Sequence, residues 1–159
     1  KACEEKILER FDTLRHNAGG NNPGQVRGDM QRLMQDHFGV FRKQDTMQEG
    51  IDKLDAMAGD IAAIGVSSPD LTWNMELVTA LEVQNLCQQA DVLAHSALNR
   101  TESRGGHLRD DYEDRDDDNW LKHTVAWRGD DGVELGYRPV RMDTGRDDAD
   151  TIPPSERKE

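Results

Sequence analysis

Residues 72–100 read TWNMELVTALEVQNLCQQADVLAHSALNR. Apolar side chains fall at Met75, Leu77, Val78, Leu81, Leu86, Ala90, Leu93, Ala94, Ala97 and Leu98, a spacing dominated by steps of three and four that belongs to a helix rather than to an alternating strand. No glycine or proline interrupts the chain until Gly105, so nothing local stops the helix. This is the longest periodic segment, and it predicts the central helix of the fold.

Working towards the N-terminus, Met47, Ile51, Leu54, Met57, Ile61 and Ile64 form a second stripe. Thr46 followed by Glu49 offers a capping box at its start, and Gly65-Val66-Ser67-Ser68-Pro69-Asp70 separates it from the long helix. Before it, Val26, Met30, Leu33, Met34, Phe38 and Phe41 continue one face down to about Arg42, with Gly39 inside the pattern. Asn22-Pro23 reads as an N-cap followed by proline in the first turn, where its missing N–H costs nothing. Ile7, Leu8, Phe11 and Leu14 mark a short amphipathic helix that ends at Gly19-Gly20. Long helices joined by short turns run antiparallel. The fold class is therefore mainly α: an antiparallel three-helix bundle, spectrin-repeat-like, over residues 23–100. Residues 1–22 precede it as a short helix and linker from a preceding domain, and residues 101–159 follow as an extended arm.

The arm has a different texture. Thr124 to Val140 places two alternating apolar runs around Gly129-Asp130-Asp131-Gly132, which predicts a β-hairpin over about residues 123–141. Beyond Met142 the tail is acidic and too poor in apolar residues to fold alone. Between helix and hairpin, Arg100, Arg104, Arg109 and Arg115 are interleaved with Glu102, Asp110, Asp111, Glu113, Asp114, Asp116, Asp117 and Asp118.

The whole chain of 159 residues is 35% hydrophobic and 33% charged, suited to one modest core with solvated extensions. A formal net charge of −12 opposes a nucleic-acid partner, since phosphate binding needs a basic face. No apolar run approaches the roughly 20 residues of a membrane span, and no export signal opens the chain. Cys3 and Cys87 lie far apart without a CxxC pair, as reduced thiols of a cytosolic protein do. A start at Lys1 rather than Met points to a piece of a longer chain.

Reaction chemistry finds little purchase. Gly105-Gly106 lacks the spacing and the strand-to-helix context of a dinucleotide loop. Asp114, Asp116 and Asp118 begin like an EF-hand, but Asn119 stands where glycine is needed and Val125 where the bidentate glutamate belongs. His95, His107, His123 and Cys87 have no zinc-ligand spacing. Ser103 lacks the first glycine of a nucleophile elbow, with Thr101 in its place. Arginine, in contrast, offers a rigid fork of donors for carboxylates and carbonyls. Arg100, Glu102, Arg104, Gly105, His107, Arg109 and Arg115 are accordingly expected to form a domain-docking segment, with no catalytic, cofactor-binding or metal residue in the chain.

The order of landmarks carries a resemblance. Asn85-Leu86, Glu102-Ser-Arg-Gly-Gly-His107, Arg115-Asp-Asp117, Asn119-Trp120, Lys122-His-Thr124, Tyr137-Arg-Pro139 and Pro153-Pro154 with Arg157 resemble, over residues 23–159, the C-terminal domain of the succinate dehydrogenase and fumarate reductase flavoprotein subunit. Gly106 stands where relatives often carry alanine, and the terminal Arg157-Lys158-Glu159 lacks the aromatic residue they often carry. The resemblance implies a parent oxidoreductase that binds FAD, converts succinate and fumarate, and passes electrons to an iron-sulfur subunit and quinone. FAD would sit in the parent subunit and no cofactor in this piece, whose role would be structural and assembly-related, without independent catalysis. The implied partners are the flavin-binding domain of the same subunit and the iron-sulfur subunit, with no nucleic acid and no direct membrane insertion. The implied location is the cytoplasm, at the membrane, within a respiratory complex. The residues by themselves also allow a stand-alone helical adaptor that binds an acidic protein surface through Arg100 to Arg115.

Overall fold

A computed structural model describes residues 2–129, 131–148 and 150. In chain order the elements are α1 (Ala2–His16), α2 (Pro23–Phe38), β1 (Phe41–Arg42), α3 (Gln44–Ala56), α4 (Ala58–Ala62), α5 (Met75–Asn99), β2 (Leu108–Arg109), α6 (Asp117–Trp120), β3 (Lys122–Gly129) and β4 (Gly132–Pro139). The domain is mainly helical. Helices α2, α3 and α5 pack on one another, and α1 lies against α5.

Local chemistry explains most of the boundaries. The Asn22 side chain caps α2 by accepting from the Gln25 N–H at 3.1 Å, with Pro23 in the first turn. Asn74 does the same for α5, accepting from the Leu77 N–H at 2.9 Å. Each cap satisfies a backbone donor that the helix itself leaves unpaired.

Three expectations are corrected. The stripe ending in Phe41 stops at Phe38, because the chain leaves the helix at Gly39. Phe41 is then exposed in β1, which pairs in parallel with β2 through Phe41↔Leu108 and Arg42↔Arg109. The helix expected from Asp45 to Ile64 is two, α3 and α4, meeting at Met57. The Thr46–Glu49 capping box does not start it, because α3 begins at Gln44 and Thr46 already lies inside its first turn.

The core is assembled from one side of each helix. Val26, Met30 and Phe38 of α2, Met47, Ile51 and Leu54 of α3, and Leu77, Ala80, Val83, Cys87, Ala90 and Ala94 of α5 meet with Leu14, Ile64 and Val66. Gly50 lets α3 approach α2, since a Cβ there would lie 2.6 Å from the His37 Cβ and 2.5 Å from the Phe38 ring. Of the apolar positions on α5, Leu77, Ala90, Ala94 and Ala97 are buried, whereas Met75, Val78, Leu86 and Leu93 remain exposed.

Strands β3 and β4 form the expected antiparallel hairpin, in register from Lys122↔Pro139 to Gly129↔Gly132. It packs against α5, held by Arg128 donating to Asp91 at 2.9 Å and Asn99 donating to the Tyr137 hydroxyl at 2.6 Å. Pro153, Pro154 and Arg157 lie outside the described residues.

Candidate functional site

Where α5 ends, its last carbonyls lack helical partners, and the segment that follows supplies them. Arg109 Nη1 donates to the carbonyls of Leu98 and Arg100, each at 3.1 Å, and His107 Nε2 reaches the Arg100 carbonyl at 3.1 Å. To bring these side chains back, the chain folds on itself. Arg104 and His107 exchange backbone hydrogen bonds of 2.8 and 3.0 Å across Gly105-Gly106. Gly105 adopts φ +58°, a conformation that costs glycine no Cβ clash.

Glu102 sits at the centre, with 0% of its surface exposed. Arg104 grips both carboxylate oxygens, Nε to Oε1 at 2.8 Å and Nη2 to Oε2 at 2.9 Å. Arg100 donates to Oε1 and the Asp116 N–H to Oε2, the latter at 3.0 Å. Burial works to raise the Glu102 carboxyl, but Arg104, the Asp116 N–H and Arg100 outweigh it and hold the group below its usual value. Arg104 also donates to Asp117 at 2.6 Å, and Arg115 donates to Asp117 at 2.9 Å. The hydrogen bond to Glu102 is the main reason that the Arg104 pKa is raised.

Arg109 is likewise fully buried. Besides the two α5 carbonyls it binds both oxygens of Asp111, at 2.7 and 2.8 Å, and the Gln44 Oε1 at 3.1 Å. Asp111 in turn accepts from the Gln44 N–H at 2.7 Å, so a carboxylate from the arm caps α3. The Arg109 hydrogen bond is the first cause of the fall in the Asp111 pKa from 3.8 to about 2. Arg42 Nη1 donates to His107 Nδ1 at 2.8 Å, which makes Nδ1 the acceptor and leaves the proton on Nε2. Burial first, then the charges of Arg42, Arg109 and Arg100, push the His107 pKa down.

Ser103 is an organiser of the loop. Its Oγ accepts from the Arg109 N–H at 2.8 Å and donates to the Tyr112 carbonyl at 2.8 Å, so its hydrogen-bonding capacity is engaged within the chain. Next to this network, Lys122 Nζ lies 4.7 Å from the centre of the Trp120 ring and 3.9 Å from that of Tyr137. Arg100 also covers Trp120, at 4.9 Å. A cleft of about 670 Å³ opens here between the end of α5, the loop and the hairpin, with Leu93, Arg100, His107, Lys122 and His123 among its walls.

All seven residues expected to act in docking thus lie in or beside one network, which joins the arm to the helices. Sequence reasoning missed Arg42, Gln44 and Asp111, and also the Trp120, Lys122 and Tyr137 stack. Gln44 and Asp111 stand 67 positions apart, and no local pattern signals such a pairing.

Gly105 and Gly106 occupy a hairpin turn, not the strand-to-helix turn that places backbone N–H groups on a pyrophosphate. Among the described residues no group of three or more His, Cys, Asp and Glu is placed to hold a metal.

The model for the fumarate reductase flavoprotein C-terminal region matches residues 27–159. The chain belongs to this family. Its members among known proteins include the succinate dehydrogenase flavoprotein subunit of Rickettsia bellii, 43% identical over 96% of this chain, and the mitochondrial one of Oryza sativa, 38% identical over 99%. The fumarate reductase flavoprotein subunit of Haemophilus influenzae is 32% identical over 89%. A solved structure of E. coli quinol fumarate reductase superposes with a TM-score of 0.85 at 32% identity, covering 98% of this chain and 26% of the other. The flavoprotein C-terminal domain described here spans about a quarter of the length of such relatives, 26% for the Rickettsia bellii subunit. These relatives are oxidoreductase subunits, and their flavin chemistry belongs to the proteins so named.

Proposed function

We propose that this chain serves as the C-terminal structural domain of an FAD-dependent subunit that interconverts succinate and fumarate and passes electrons to an iron-sulfur subunit and quinone. The reading extends to a location at the cytoplasmic side of a membrane, within a respiratory complex. Among the described residues no helix is long and apolar enough to cross a membrane, so contact with the bilayer would run through other subunits.

The observation that carries this reading is the inward orientation of the Glu102–Arg109 motif. Glu102 and Arg109 are buried and satisfied by Arg100, Arg104, Asp111, Gln44 and the end of α5. Side chains so engaged position the arm and take no part in bond making. We infer that Arg100, Glu102, Arg104, Gly105, His107, Arg109 and Arg115 act in domain docking by giving the arm its shape, with the flavin-binding domain of the same subunit and the iron-sulfur subunit as partners. The three packed helices are read as antiparallel and spectrin-repeat-like, since only residues 39–43 join α2 to α3. The adaptor reading has less support, because the same guanidinium groups are paired within the chain.

The test is a flavin absorbance spectrum and succinate-dependent dye reduction on this chain and on a full-length subunit that carries it. Both signals are expected in the full-length protein and neither in the 159-residue chain. In the full-length protein, Arg104→Ala and His107→Ala are expected to weaken flavin retention or assembly. Flavin binding by the short chain, or silence in both proteins, would overturn the reading.

A further inference from the structure

Helix α5 carries apolar residues on three sides, and this chain covers two of them. Leu77, Ala80, Val83, Cys87, Ala90 and Ala94 face the core shared with α2 and α3. A second side meets α1 near its N-terminal half, where Arg10 donates to Gln84 at 2.7 Å and Asn85 at 3.0 Å. The hairpin takes over towards the C-terminus, through Asp91 and Asn99. The third side is Met75, Val78, Glu82, Leu86, Gln89 and Leu93, at steps of three and four along one face. Met75 is 66% exposed, Leu93 48%, Val78 44% and Leu86 38%.

Exposed apolar side chains also precede the helix. Leu71 is 62% exposed, and Trp73 is 91% exposed while holding φ +58°. A bulky residue in the left-handed region is strained, and an indole in open solvent gains nothing in return. From position 75 to 93 the row runs about 27 Å at 1.5 Å per residue, and at Leu93 it enters the cleft walled by Arg100, Lys122 and His123. Four exposed apolar side chains share this face, interrupted by Glu82 and Gln89, where isolated exposed apolar residues are the ordinary case on a surface.

The occupant follows from length and charge. The chain corresponds to only 26% of the Rickettsia bellii subunit and 26% of the E. coli chain, so most of such a subunit is available to lie on it. A second copy fits poorly, because each copy brings a formal net charge of −12. At the end of the row Lys122 lies over the Trp120 and Tyr137 rings, and its charge suits a carboxylate from a different polypeptide surface. We propose that the outward face of α5, from Leu71 and Trp73 through Met75, Val78, Leu86 and Leu93, is the seam on which the larger remaining part of the flavoprotein subunit lies, with one of its carboxylates entering the cleft beside Lys122. This rests on the reading of the chain as the C-terminal domain of such a subunit, and it moves the principal contact from the Arg100–Arg115 loop to α5.

Hydroxyl-radical footprinting of the full-length subunit, purified without its partner subunits, tests the seam. Trp73 in the native protein is expected to react about tenfold more slowly than in denaturant, as a core side chain does, matching Trp120, which is buried here. Trp73 reacting near its denatured rate while Trp120 stays protected would overturn the proposal. So would protection that appears only when the iron-sulfur subunit is added, since that subunit would then be the occupant. In the same protein, Leu86→Asp with Leu93→Asp should restore Trp73 reactivity without exposing Trp120, and continued protection of Trp73 would also sink the seam. Failure of the functional reading is separate: it appears as missing flavin in the same sample, whatever the footprint.

Discussion

The Asp111 carboxylate accepts from the Gln44 N–H at 2.7 Å, so the first turn of α3 is capped by a side chain from the arm, 67 residues away. The same carboxylate holds the buried guanidinium of Arg109. Cap, arm and the end of α5 therefore form one cooperative unit.

Replacing Asp111 should break that unit. Asp111→Ala removes the α3 cap and leaves Arg109 buried beside a vacant position, a combined cost of about 3–5 kcal/mol. Asp111→Asn keeps an acceptor for the Gln44 N–H and should cost less. Urea unfolding of the two variants beside the parent checks the order, and equal stability of all three would refute the tertiary cap.

Acid should act through the same residue. Its carboxyl is depressed from 3.8 to about 2 in the folded chain, so the unfolded chain binds its proton first. The associated stability is fully present above about pH 4 and drains away as pH falls towards 2. Unfolding free energy measured across this interval should lose less in Asp111→Asn than in the parent.

His107 titrates in a different window. Its folded pKa lies below 6.5, so its contribution is complete above that value and declines as pH drops below it. Protonation also converts Nδ1 from acceptor to donor against the Arg42 guanidinium. Amide protection in residues 100–109, taken relative to the slower intrinsic exchange in acid, should therefore fall in mildly acidic buffer before that of the rest of the chain, and uniform behaviour would count against this.

Glu102 is the most exacting position. Glu102→Gln cannot accept from Arg100, Arg104 and the Asp116 N–H together, and it leaves two guanidinium groups around a neutral amide. The expected loss is about 3–5 kcal/mol, read as a lowered denaturation midpoint. A loss within about 0.5 kcal/mol, the scale of ordinary surface substitutions, would show that the carboxylate is not the hub.

Two glycines in helices should respond in opposite directions. A Cβ at Gly28 meets nothing within 4 Å, so Gly28→Ala should stabilise by about 0.5–1 kcal/mol. At Gly50 the Cβ would strike His37 and Phe38, and Gly50→Ala should destabilise by about 1–3 kcal/mol. Thermal midpoints of the pair decide whether the α2–α3 crossing is as close as described.

Much of this was legible in the residues. Step-of-three-and-four spacing located α1, α2, α3 and α5, Asn22-Pro23 marked the start of α2, and Gly129 to Gly132 marked the hairpin, because each signal acts over a few neighbouring residues. The Glu102–His107 cluster stood out by composition alone. Helix ends were less legible: Gly39 stopped α2 before Phe41, and the start of α3 depended on a carboxylate far along the chain.

What the sequence by itself determined is the four longer helices α1, α2, α3 and α5, the hairpin and the presence of an arginine–carboxylate segment, since propensity, periodicity and turn chemistry are local. Only the tertiary structure decided which two of the three apolar sides of α5 are covered, that Arg42 meets His107 across 65 positions, and that Asp111 caps α3. A row of leucines and alanines looks alike on every side until neighbours cover it, and a carboxylate finds its N–H only after the chain has brought the two together.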